Sequence, residues 1–212
     1  MEHKITRILS VILHPLLVPS YFLLLLYQIP QLTYSLYSDR YRMILSGFVL
    51  LLTFVLPVLI LLLMKLMRIV ASLMLEGKNE RFLPMLLVAV IYFLAFYTLY
   101  QTQLPGFRIF SVFMLGSSLL ILAALFINFF TQISLHLLAW GGFTGGITGI
   151  AFLFSLNLFF WLFLILFLSA ITAYSRLENK AHTPFQIYLG YLSGFFFMTL
   201  LFLLSGLLVL IP

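Results

Sequence analysis

Between Ile109 and Ser175 the chain carries no Asp, Glu, Lys or Arg. An uncharged run of that length does not suit an ordinary soluble domain, in which about a quarter of the residues are charged. Hydrocarbon imposes a different rule. Every backbone N–H and C=O must be satisfied within the chain, so only helices and closed barrels span it, and long unbroken apolar runs select helices. The remaining sequence agrees, since 64% of the 212 residues are hydrophobic and 8% are charged. The sequence therefore predicts an all-α, polytopic transmembrane helix bundle, with residues 1–212 forming a single integral membrane domain.

A span needs about 20 apolar residues. Seven segments qualify: 8–29, 43–64, 83–102, 109–130, 136–153, 155–174 and 185–211. Inside the uncharged stretch the divisions rest on Gln132, Ser134, a Gly-rich patch and Asn157, so six spans stand as an alternative to seven. The second helix is expected to continue past Lys65 and Arg68 to Leu75, because Lys and Arg can snorkel from a helix end while their stems stay apolar. Lys4 and Arg7 ahead of apolar sequence outline a secretory signal. However, the apolar stretch outruns a typical signal core, contains Pro15 and Pro19, and is followed by no small-residue cleavage site, so a retained first helix is expected.

The formal net charge is +6, but the basic residues stand singly or in pairs at the ends of apolar runs. That is the pattern of membrane-flanking charge and not of a nucleic-acid stripe. The absence of cysteine excludes disulfides, thiolate chemistry and cysteine-ligated metal. Seven spans put the N-terminus, the 76–81 loop, the Ser134/His136 region and the 175–183 loop on one face. Lys4, Arg7, Lys65, Arg68, Lys78, Arg81, Arg176 and Lys180 share that face, against Arg40, Arg42 and Arg108 opposite. The positive-inside rule would make the crowded face cytoplasmic. Phosphate-binding cations would bias that count, so the side stays open.

His182 is the sharpest candidate for chemistry. Thr183-Pro184 after it reads as a helix cap and first-turn proline, which sets His182 at the positive end of the last helix, where phosphate is favoured. Arg176 lies six residues upstream, and its planar guanidinium suits phosphate oxygens; an interfacial loop meeting lipid headgroups is the plainer reading. Ser134-Leu135-His136 is a second polar island, functional by default at membrane depth although a lone histidine is more often hydrogen-bonded structure. Lys78 and Arg81, with Glu76 and Glu80 interleaved, suit an anion site or a solvated turn. Gly141, Gly145 and Gly149 follow His136 at intervals of four, and Gln186, Gly190 and Gly194 follow His182 in the same way. Such rows allow transmembrane backbones to approach closely, which would bring the two histidine-bearing helices together.

These residues resemble the signatures of the type 2 phosphatidic acid phosphatase (PAP2) superfamily. Ser175-Arg176, five residues and His182 match its third signature, S-R-x5-H-x3-D; Ser134-Leu135-His136 looks like P-S-G-H; Lys78 to Pro84 looks like a degenerate K-x6-R-P. Order and approximate spacing agree across residues 78–186. The resemblance implies a PAP2-like bundle and a lipid phosphatase acting on a phosphatidate, an isoprenyl diphosphate or a phosphorylated head group, without metal or other cofactor. It makes His182 the nucleophile and His136 the general acid, with Arg176, Ser134, Ser175 and Lys78 or Arg81 holding phosphate oxygens. It also suggests a bacterial inner membrane, where many members of that family work on the outer side. Gln186 stands at the family's aspartate, where its amide carbonyl can orient the His182 ring but cannot neutralise an imidazolium. Leu135 and Ile133 replace the family's glycine and proline, and Lys78 lies only three residues from Arg81. Those departures raise a second expectation, a non-catalytic relative that binds or moves an anionic lipid.

Overall fold

A computed structural model of the chain describes residues 2–33, 39–70, 79–102 and 105–209. In order, the helices are α1 (Glu2–Ile12), a 3-10 turn (Pro15–Leu17), α2 (Val18–Leu26), α3 (Pro30–Thr33), α4 (Asp39–Leu50), a π turn (Leu51–Val55), α5 (Leu56–Leu66), a 3-10 turn (Asn79–Arg81), α6 (Phe82–Gln101), α7 (Pro105–Ile127), α8 (Leu135–Leu153), α9 (Phe159–Glu178) and α10 (Pro184–Val209). No strand occurs among the described residues. Among the described residues, seven helical segments are long and apolar enough to cross a membrane: Ile8–Leu26, Asp39–Leu66, Phe82–Gln101, Phe107–Ile127, Leu135–Leu153, Phe159–Glu178 and Pro184–Gly206. The chain is a multi-pass, all-α membrane protein, and the uncharged stretch divides in the way that gives seven spans.

Three helix ends are made without glycine. After α5, Arg68 takes a left-handed conformation (φ 59°), and its N–H bonds the Lys65 carbonyl at 3.0 Å while Ile69 N–H bonds Met64 at 2.9 Å. This is a Schellman closure, which consumes two of the carbonyls that a helix end leaves open. It corrects the expectation that the second helix runs past Lys65 and Arg68: the helix stops at Leu66, and 71–75 lie outside the described residues. Ser155 (φ 49°) and Lys180 (φ 51°) end α8 and α9 by the same device. Between those two helices Asn157 accepts a hydrogen bond from Phe159 N–H at 3.3 Å, so the one Asn in this gap begins the new helix.

The described residues form two compact units, Met1–Val18 with Ile133–Pro212, and Pro19–Gln132. In the first, α8 and α10 meet along their glycines. A Cβ at Gly141 would strike the Tyr191 carbonyl, one at Gly145 the Phe195 carbonyl, and one at Gly194 the Leu138 carbonyl; at Gly190 it would lie 2.8 Å from the Ser134 carbonyl. Lipid is as apolar as any side chain, so helices in it associate by close packing and hydrogen bonding and not by hydrophobic exclusion. Tyr191 donates to Thr144 Oγ1 at 3.0 Å, and Thr199 to the Gly145 carbonyl at 3.2 Å, across the same seam.

In the second unit α6 packs on α7, with Ser118 Oγ donating to the Ala89 carbonyl at 2.8 Å. The span Asp39–Leu66 is interrupted by the wide turn Leu51–Val55, where Leu56 N–H reaches back five residues to Leu51. Pro57 has no N–H to offer the Thr53 carbonyl four residues earlier; Tyr92, fully buried, donates its hydroxyl there at 3.3 Å.

Two outcomes follow for stability in detergent. Gly145→Ala and Gly194→Ala should each lower unfolding stability by about 1–3 kcal/mol, whereas Gly47→Ala, which meets nothing within 4 Å, should leave it equal or up to about 1 kcal/mol higher. Tyr92→Phe should cost about 1 kcal/mol by taking the donor from Thr53.

Candidate functional site

At one end of the first unit α1 lies against the last turns of α9, and both present polar side chains four residues apart to each other. Thr6 is buried, Ser175 is 0% exposed, and Ile8, Val11 and Ile12 face outward. Asn179 Nδ2 donates to Ser10 Oγ at 3.5 Å. Ser175 Oγ donates to the Thr6 carbonyl at 2.8 Å, so in its 2.8 Å contact with Ser10 Oγ the Ser10 hydroxyl is the donor. Thr6 Oγ1 donates in turn to Asn179 Oδ1 at 3.0 Å. The four side chains form a closed circuit in which each of these donors has one destination. Ser175, expected to hold phosphate, ties α1 to α9.

The circuit sets α1 beside α8. Near its C-terminus α1 tightens, so His14 N–H bonds the Val11 carbonyl at 3.3 Å, and the Ser10 carbonyl accepts from His136 Nε2 at 3.4 Å. A carbonyl can only accept, so His136 carries its proton on Nε2 and holds its lone pair on Nδ1 when neutral. His14 stands edge-on to the His136 ring, with centroids 5.3 Å apart and planes at 78°. Its Nδ1 accepts from Leu16 N–H at 3.3 Å, capping the turn that Pro15 begins. Trp140, on α8 and fully buried, donates Nε1–H to the Leu13 carbonyl at 3.2 Å at the same break. The charge of Arg176, in the last turn of α9, acts on both rings, and His182 acts on His136.

His182 precedes α10, whose start is a capping box. Thr183 Oγ1 accepts from Gln186 N–H at 3.4 Å, and Gln186 Oε1 accepts from Thr183 N–H at 3.1 Å. That second bond fixes which end of the amide faces inward, since its NH2 would meet another donor there. The contact between His182 Nδ1 and Gln186 Oε1 at 3.2 Å therefore has the ring donating, which leaves the lone pair of the neutral ring on Nε2. The Gln186 backbone carbonyl also accepts from Ser134 N–H at 3.2 Å. Ser134 occupies the N-cap of α8 without capping it; the residue is 0% exposed, and its Oγ has no hydrogen-bond partner among the described residues.

The first unit thus contains Ser134, His136, Ser175, Arg176, His182 and Gln186. Arg81 belongs to the second unit, in the turn leading into α6, where burial lowers its pKa; Lys78 lies outside the described residues. Among the described residues no three of His, Cys, Asp and Glu are grouped to hold a metal ion. Sequence reading missed His14, Ser10, Thr6 and Asn179. A signal for one of them was present: His14 is an ionisable residue within an apolar span and directly before a proline.

Gln186→Leu should remove one acceptor from two donors. Nitrogen NMR of labelled histidine should then show His182 lose its Nδ1–H preference, and α10 should lose about 1 kcal/mol at its start; Gln186→Glu, which keeps the acceptor, should preserve both.

No protein-family model, curated protein or solved structure matches the chain at a significant level.

Proposed function

We propose that the protein is a divergent member of the PAP2 superfamily, an integral-membrane phosphatase of a bacterial inner membrane that hydrolyses a lipid phosphomonoester or diphosphate. The observation that carries this reading is the state of His182. Gln186 Oε1 takes its Nδ1–H, leaving Nε2 as the nucleophilic nitrogen at the N-terminal end of a long helix. In the reaction Nε2 of His182 attacks phosphorus as the bond from phosphorus to the leaving oxygen breaks. His136, carrying a second proton on Nδ1, gives that proton to the leaving oxygen; water then cleaves the N–P bond while returning a proton to Nδ1, and phosphate is released. Arg176 and Ser134 stabilise the phosphoryl oxygens, the part of such reactions where fixed charge and positioning matter most. This route uses no metal.

A second reading, an anionic-lipid binder or carrier without turnover, is favoured by one feature. Gln186 is a neutral amide, so it brings no negative charge to balance the imidazolium formed during transfer.

Phosphate release from a panel of lipid phosphates by the purified protein separates these readings. His182→Ala should reduce release by about 10³-fold or more, and equal release by both proteins would remove His182 from the mechanism. A parent protein that releases nothing, yet binds lipid phosphate after both His136→Ala and His182→Ala, would establish the binder.

A further inference from the structure

His14 has no place in the signatures that suggested a phosphatase, yet its surroundings resemble those of a ligand-binding group. It lies inside the span Ile8–Leu26, where a polar atom without a partner is costly. Nδ1 receives the Leu16 N–H, and a backbone N–H can only donate. The proton of the neutral ring is consequently on Nε2, and that donor has no hydrogen-bond partner among the described residues. The ring is held by the helix break itself.

Three groups of the first unit bear on what this donor could meet. The His136 ring is 5.3 Å away, edge to face, so a group that reaches one ring is close to the other. Ser134 Oγ, fully buried at the cap of α8, is a second polar group without a hydrogen-bond partner among the described residues. Arg176 acts on both rings with a positive charge. The first unit carries Glu2 and Glu178 against Lys4, Arg7, Arg176 and Lys180, so its field favours an anion.

We propose that His14 is an anion-contacting residue of this site, donating from Nε2 to a phosphate oxygen. The proposal rests on the reading that this end of the first unit handles phosphate, and it adds the N-terminal segment to the groups that hold it. The same chemistry serves a lipid phosphate or free phosphate.

Two substitutions separate the two nitrogens. His14→Asn keeps an acceptor where Nδ1 stands and remains a good N-cap, but it cannot reach the position of Nε2. His14→Gln keeps a donor near Nε2 and loses the cap. Calorimetric titration of the full-length protein in detergent, with inorganic phosphate and separately with a short-chain lipid phosphate, reads binding without turnover. His14→Asn should bind about tenfold more weakly, the loss of one charge-assisted hydrogen bond, at an unchanged unfolding temperature, while His14→Gln should stay within about threefold of the parent. Loss confined to the lipid probe identifies the head group as the ligand, and loss with both identifies phosphate itself. Parent-like binding by His14→Asn would overturn the proposal and leave His14 a cap, as would failure of the parent to bind either probe. Lipid phosphate hydrolysis with parent-like His14→Asn binding sinks the role of His14 alone; His14-dependent binding without hydrolysis sinks the phosphatase reading alone.

Discussion

Hydrocarbon supplies no hydrogen bonds, so wherever a helix stops, bends or starts within it, the chain must bring its own donors and acceptors. The break after α1 shows how completely this is done. Pro15 has no N–H, Leu17 N–H takes the His14 carbonyl at 2.9 Å, Trp140 takes the Leu13 carbonyl, His136 takes the Ser10 carbonyl, and the His14 ring takes Leu16 N–H. In a soluble protein water would do much of this work. Here imidazole and indole do it, and the polar groups capable of chemistry collect at the break because the break requires them.

Gln186 illustrates the same economy at the start of α10. Its side-chain oxygen serves both the cap and His182, while its backbone oxygen serves Ser134. A carboxylate at this position would satisfy the same two donors and add charge. The amide gives geometry without charge, so the cap and the His182 contact are kept while this position adds no electrostatic support for a charged histidine. The glycine seam complements this arrangement, since Gly190 brings the α10 backbone onto Ser134 itself.

Much of this was legible in the sequence and some was not, for identifiable reasons. Seven spans follow from apolar length, and the glycine rows after His136 and His182 forecast the α8–α10 seam because small residues at intervals of four have one common use in membranes. The cap at Thr183 and the role of Gln186 are local, within four residues, and so were readable. The Thr6–Asn179 circuit is not local, and Thr6 and Ser10 alone look like an unremarkable weakly polar face. The stop at Leu66 was missed because it depends on a left-handed arginine, a conformation that no residue type in that stretch signals. The π turn left a trace only in Pro57.

The circuit between α1 and α9 also has a bearing on when the site comes into being. Thr6 and Asn179 are 173 positions apart, and a membrane protein inserts as it is synthesised, N-terminal helices first. Until α9 has been made, the hydroxyls of Thr6 and Ser10 have no intramolecular partners of this kind and must remain near interfacial water. Thr6 and Ser10 therefore wait, already synthesised, for groups that arrive near the end of translation. A nascent chain arrested before α9 would contain His14, His136 and most of the spans but neither Ser175 nor His182, so the polar cluster closes only as the last two helices dock.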